Sequence, residues 1–150
     1  TFVGQNLGAD NMKRARKGTN VALLLSIATA LILMAPVIIF APLLASLFNN
    51  DPDVLSYGVH FIRLMMPFYL AISFNQIFAN ALRGAGNSVT PMVIMMGSFI
   101  VFRQIYLYFI SKYFNNITAT ALGYPLGWVL CSILLIIYYW KVGLNVKKKI

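Results

Sequence analysis

The chain has 150 residues, of which 60% are hydrophobic and only 10% charged, with a mean hydropathy of +0.78; a soluble domain has about a quarter of its residues charged, so a water-facing globule is excluded. The net charge of +9 would suggest nucleic acid as a partner in a soluble chain, but here the basic residues gather at the edges of apolar runs, as membrane topology signals do, and no nucleic-acid role is expected. The single cysteine, Cys131, excludes an internal disulfide and a multi-cysteine metal site, and its apolar surroundings mark it as a small packing residue.

A membrane-spanning helix needs ~20 apolar residues, and four such runs occupy nearly the whole chain. The first covers residues 21–48. Asp10 or Asn11 is the candidate N-cap of its helix, whose first turns, Met12 to Lys17, are cationic. At ~1.5 Å per residue the apolar part reaches ~40 Å, longer than a ~30 Å hydrocarbon core, so tilting or bending is expected, with Pro36 and Pro42 each favouring a kink. Asp51-Pro52 pairs a carboxylate cap with proline at the first helical position and opens the second span, residues 54–82. The Arg83-Gly84-Ala85-Gly86-Asn87 turn follows, and Thr90-Pro91 repeats the cap-plus-proline signal ahead of the third span, residues 92–111. The fourth span covers residues 119–140, where Ala119, Gly123 and Gly127 form a small-residue face that admits another helix closely. Tyr138, Tyr139 and Trp140 ahead of Lys141 read as an interfacial aromatic anchor, and a lysine tail ends the chain.

Orientation follows from the cations. Lys13, Arg14, Arg16, Lys17, Arg83, Lys141, Lys147, Lys148 and Lys149 belong to one set of ends, against Lys112 alone in the opposite loops, with Arg63 and Arg103 inside spans. The positive-inside rule puts the Arg83 turn and both ends in the cytoplasm.

Polar groups in hydrocarbon are costly, so those present mark packing faces, cavities or pathways. In the second span Tyr69, Ser73, Gln76 and Asn80 are spaced four, three and four residues apart and line one helical face, with Met66 and Arg83 extending it. Such a stripe either walls a water-accessible cavity that hydrogen-bonds a substrate, or makes interhelical hydrogen bonds stabilising by ~1 kcal/mol or less each. Arg63 and Arg103 are intramembrane charges near the outer ends of their spans, expected to bend their stems toward the interface. His60, one turn from Arg63, is either an interfacial residue or a proton sensor. The acids Asp10, Asp51 and Asp53 all fall in loops or caps. No Cys/His metal cluster, P-loop lysine or serine–histidine–acid set is present, so no metal site, no cofactor and no enzymatic chemistry is expected.

Five strings in order resemble one family. Gly4-Gln5-Asn6-Leu7-Gly8-Ala9-Asp10-Asn11 with Arg14-Ala15 is similar to the loop after an even-numbered helix in the MATE (multidrug and toxic compound extrusion) transporters. Asn50-Asp51-Pro52-Asp53-Val54 with Tyr57 and Arg63 resembles the short outer loop and next helix of that family, and Leu82-Arg83-Gly84-Ala85-Gly86-Asn87-Ser88 with Pro91 its inner glycine turn. Arg103, and Tyr124-Pro125-Leu126-Gly127-Trp128, complete the set. The resemblance implies an all-α integral membrane bundle of four transmembrane helices, part of a twelve-helix, two-lobe transporter. A final span ahead of a lysine tail suggests the C-terminal part of the C-lobe, holding the end of helix 8 and helices 9–12. The chain opens at Thr1, where no signal peptide is expected, and is expected to be a piece of a longer protein, with membrane lipids, small amphipathic substrates, and the N-terminal lobe and helix 7 of that protein as its partners. The implied activity is export of amphipathic, often cationic compounds, driven by Na+ or H+ across the cell membrane through lobes that rock about a central cavity. Some members place sodium-binding acids in the C-lobe; the second span here has none, which points the coupling site outside this chain. Gly4, Gly8, Gly84 and Gly86 are expected to allow tight inner turns, and Arg83 to hold lipid phosphates or helix carbonyls. Two alternatives share the pattern: a flippase for lipid-linked oligosaccharides, kept open by Arg63 and Arg103, and a non-transporting membrane scaffold.

The alternation of spans has a direct check. In the full-length protein, on a Cys131→Ser background, a membrane-impermeant thiol reagent should reach Lys13→Cys only from the cytoplasmic side and Asp53→Cys only from the other. Labelling of both from one side would break the topology.

Overall fold

The computed structural model describes residues 1–113 and 117–144, so the loop at 114–116 and the lysines at 147–149 lie outside the described residues. The described residues form helices joined by short turns: α1 (Phe2–Gly8), α2 (Met12–Ile39), α3 (Ala41–Ser46), α4 (Pro52–Met65), a 3-10 turn (Met66–Phe68), α5 (Tyr69–Gly84), α6 (Val89–Met96), a π-helical segment (Gly97–Phe102), α7 (Arg103–Tyr113), α8 (Ile117–Ala121) and α9 (Gly123–Val142). Four continuous stretches, Met12–Ile39, Pro52–Gly84, Val89–Tyr113 and Ile117–Val142, are long and apolar enough to cross a membrane.

Local chemistry explains the boundaries. The residues before α2 form a short helix rather than a loop. Asp10 adopts the left-handed conformation (φ 57°) that turns the chain between α1 and α2, a region short Asx side chains tolerate, and Asn11 is the cap, its Oδ1 accepting from Arg14 N at 3.0 Å. Asp51 caps α4 as expected, accepting from Asp53 N at 2.9 Å and Val54 N at 3.4 Å. Thr90 does not cap the third span. The helix begins one residue earlier, and Asn87 Oδ1 accepts from Thr90 N at 3.2 Å.

Each proline acts according to its place in the turn. Pro36 is carried inside α2 without a break, and its carbonyl accepts from Phe40 N at 2.8 Å. The break falls at Phe40, and Pro42 sits in the first turn of α3, where a missing N–H leaves no helical bond unmade. The first span therefore divides once, not twice. In the second span Pro67 interrupts the α-helical ladder and the chain answers with a 3-10 turn, so residues 54–82 are two helical segments rather than one rod.

The second span lies at the centre. α5 packs most extensively on α9 and then on α2, while the third span packs along α9. The core joins Phe78, Ala79 and Leu82 of α5 to Cys131 and Leu135 of α9. A second cluster, Ala15, Ala81 and Leu144, ties together the start of α2, the end of α5 and the residue beyond α9, so the cationic ends of three spans meet at one end of the bundle. The Asp51 turn lies at the other end, where His60 Nε2 meets Thr118 Oγ1 at 3.2 Å.

The small-residue face of the fourth span does admit a neighbour. A Cβ on Gly127 would sit 2.9 Å from the Ser98 carbonyl oxygen in the π segment, and one on Gly123 would lie 3.0 Å from the Tyr106 ring, whose hydroxyl donates to Ala119 O at 2.8 Å. Two of the three residues in the aromatic run beyond make contacts inside the bundle. Tyr139 packs on Phe78 at 4.8 Å, Tyr138 accepts at its hydroxyl from Asn87 Nδ2 at 2.8 Å, and Trp140, 80% exposed, alone faces outward. A long helix turns these neighbours to different faces, and the tight turn at Asn87 gives Tyr138 a partner.

Gly127→Ala should cost about 1–3 kcal/mol, because the methyl meets backbone that cannot rotate away. Chemical unfolding in mixed micelles measures it, and a change below ~0.5 kcal/mol would contradict the close crossing.

Candidate functional site

Between α2 and α5 runs a cleft of about 650 Å³. Its α5 wall holds three of the four stripe residues, Tyr69, Ser73 and Gln76, with Met66 one turn before them. Its α2 wall contributes Ser26 and Thr29 among alanine, leucine, methionine and valine side chains, and none of the lining residues is charged. Ser73 is buried, Gln76 exposed and Tyr69 45% exposed, so the phenol and the carboxamide supply the accessible polar groups from α5. The edge of the Tyr69 ring meets Trp128 with centroids 5.3 Å apart and planes at 66°, which fixes the ring at the cleft mouth from the α9 side.

Asn80 is separated from this group. It lines a smaller recess of about 140 Å³ with Phe2, Gly18 and Thr19, and its Oδ1 accepts from Arg83 Nη1 at 3.0 Å. Met66 belongs to the cleft wall, whereas Arg83 turns to Asn80 and to the Met95 thioether at 3.5 Å. The two intramembrane arginines have unlike settings. Arg103 does not extend freely; its guanidinium lies 3.7 Å from the centroid of the Tyr124 ring, and its Nε is buried with no hydrogen-bond partner among the described residues. Arg63 is exposed and lines a separate pocket at the Asp51 end.

The glycine motifs work mainly by close approach rather than by turning. Gly4 and Gly84 face each other across the α1–α5 contact, where a Cβ on Gly4 would lie 3.0 Å from Gly84 O. Gly8 has open space around it, and Gly86, at φ 89°, is the member of the set that needs glycine for a turn. Gln5 is exposed, and Asn6 is buried with its Nδ2 donating to Phe2 O at 2.8 Å, holding α1 together.

Among the described residues, four buried polar side chains, Thr19, Asn75, Ser98 and Ser132, were not singled out by the sequence, and Asn75 and Ser132 join α5 to α9. Asn75, fully buried, donates from Nδ2 to Trp128 O at 3.1 Å and accepts at Oδ1 from Ser132 Oγ at 2.9 Å. The Ser132 hydroxyl also lies 2.8 Å from Ala71 O and 2.9 Å from Trp128 O. This node fixes α5 rotationally on α9 and so aims the stripe into the cleft. Asn75 adjoins Gln76 in sequence but points ~100° away around the helix, so a search along one face passes over it. Ser26 and Thr29 stand three residues apart on a face of α2 rich in alanine.

Apolar spans packed about an uncharged, mainly apolar cleft describe a multi-pass membrane protein. A family model described as MatE matches residues 1–109, and the chain belongs to the MatE family. Among curated proteins it is 29% identical over 132 residues to a FAD transporter of Shewanella oneidensis, an alignment covering 88% of this chain and 29% of that one. It is 34% identical over 98 residues to the probable multidrug resistance protein NorM of Neisseria meningitidis, covering 65% of this chain and 21% of the relative. An uncharacterized transporter of Schizosaccharomyces pombe is 27% identical over 116 residues, 77% of this chain and 22% of its own. The chain thus spans less than a third of the length of each of these relatives.

Asn75→Ala should destabilise by about 1–3 kcal/mol, more than an average interhelical hydrogen bond at ~0.6 kcal/mol, because it strips partners from both helices. Gln76→Ala, facing the cleft, should cost less than ~0.5 kcal/mol. Equal losses for the two in micellar unfolding would contradict the assignment of one residue to packing and the other to the cleft.

Proposed function

We propose that the chain is the C-terminal part of a secondary active exporter that expels amphipathic, often cationic compounds from the cell in exchange for inward Na+ or H+. The observation that carries this is the cleft of about 650 Å³ walled by Tyr69, Ser73 and Gln76 on one side and by Ser26 and Thr29 on the other. Its volume suits a drug-sized ligand, its apolar walls favour a greasy scaffold, and a few hydrogen-bonding groups fix orientation. An exposed phenol ring offers a lipophilic cation a cation–π partner worth ~0.5–2 kcal/mol without requiring a buried counter-charge. A flippase for phosphate-linked sugars would need a cationic cavity, whereas neither Arg63 nor Arg103 lines this cleft.

The rest follows from the same assignment. The four spans are the end of helix 8 and helices 9–12 of the C-lobe, packed against helix 7 and the N-terminal lobe of the longer protein. Both ends face the cytoplasm, in keeping with the cation distribution, and the membrane is the cell's inner or plasma membrane. The coupling ion binds outside this chain, since Asp10, Asp51 and Asp53 all stand at the helix termini.

Full-length protein in proteoliposomes, loaded with a fluorescent lipophilic cation, should show efflux that depends on an imposed Na+ or H+ gradient. Tyr69→Ala and Gln76→Ala should each lower the initial rate several-fold, up to about tenfold for ~1.4 kcal/mol of lost contact. FAD serves as a competitor, because one relative bears that name. Gradient-independent flux, or unchanged rates in both variants, would dismiss the exporter model, and an absence of any flux would favour the scaffold.

A further inference from the structure

We infer that the pocket at the Asp51 end of the bundle is a binding site for a phosphate group, presented by a membrane phospholipid. The pocket, about 480 Å³, is lined by Ser56, His60 and Arg63 of α4 together with apolar side chains of the same helix, such as Leu55 and Val59, and Pro42 of α3. The three polar residues stand four and three positions apart and share one face, each one turn deeper than the last. All three side chains are exposed to the pocket.

The need for an anion comes from Arg63. Its guanidinium stays charged at every accessible pH and offers five donors, yet among the described residues it makes no hydrogen bond, ion pair or ring contact. The nearby acids do not reach it. Asp51 spends its carboxylate on the first turn of α4, and Asp53 is ten residues earlier on the helix, ~15 Å along the axis. Near the outer end of a membrane span such a charge is held by a counter-ion or by water. Phosphate suits the fork geometry of arginine, which binds it in bidentate fashion. Above it, the Ser56 hydroxyl adds a donor, and the His60 ring, whose Nε2 meets Thr118 Oγ1 at 3.2 Å, borders the pocket.

The lipid source is favoured by what surrounds the donors. The rest of the lining is apolar, and the adjoining α3 and the residues just after it present Leu43, Leu47 and Phe48 outward, 61%, 74% and 92% exposed. Donors at headgroup level beside exposed aliphatic surface match a phosphate ester with its acyl chains. The pocket shares no lining residue with the α2–α5 cleft, so this assignment stands or falls apart from the transport proposal.

Native mass spectrometry of the full-length protein in detergent, titrated with phosphatidylglycerol or with inorganic phosphate, tests it. Bound phosphatidylglycerol is expected on the unmodified protein, weakened about tenfold by Arg63→Gln and less by Ser56→Ala. Arg63→Lys, which keeps the charge but loses the fork, should be intermediate, and Arg103→Gln should match the unmodified protein. Retention of phosphatidylglycerol against millimolar inorganic phosphate supports the lipid source; displacement by inorganic phosphate alone overturns it in favour of a soluble phosphate. Lipid binding that is equal across the folded Arg63 variants, including Arg63→Lys, overturns the site.

Discussion

Lipid cannot satisfy a hydrogen-bonding group, so a polar side chain inside a span must find its partner in another part of the protein. Asn75 is the point where this constraint fixes the architecture. Its carboxamide reaches the Trp128 carbonyl and the Ser132 hydroxyl, and that hydroxyl in turn meets the Ala71 carbonyl, so α5 and α9 are locked in one rotational setting. Apolar contacts such as Phe78 with Leu135 tolerate sliding, because one hydrocarbon surface resembles another. Directional hydrogen bonds do not.

With α5 fixed on α9, the opposite side of α5 faces α2, and the cleft follows. Tyr69, Ser73 and Gln76 occupy it because they lie on that opposite side, and the Tyr69 ring is held there by the edge contact to Trp128. The same rotation takes Asn80 past the end of the cleft to Arg83. Packing and binding are thus divided between two faces of one helix, with Asn75 and Gln76, adjacent in sequence, on either side of the divide.

Two breaks in regular helix punctuate the second and third spans. The 3-10 turn at Pro67 precedes the cleft wall, and the π segment from Gly97 to Phe102 lies where the Ser98 carbonyl approaches Gly127. Departures of this kind re-aim the side chains that follow them. Here they let the second span present its cleft face and its Arg63 pocket separately along one long membrane crossing.

Composition, the run lengths and the placement of cations are local or additive properties, so the sequence by itself determined four hydrophobic spans, their expected alternation and the capping of α4 by Asp51, and it narrowed the cap of α2 to Asp10 or Asn11. Helical periodicity also placed Tyr69, Ser73 and Gln76 on one face, since a spacing of 3.6 residues needs no knowledge of the neighbour. Only the tertiary structure decided what each face meets. Asn75 became a packing node, Arg103 lay against Tyr124, Tyr138 turned inward to Asn87, and Gly4 met Gly84 across a helix contact. Each of these depends on residues far apart in the chain brought within a few ångströms, and the pattern along a single helix carries no record of the helix that will lie beside it.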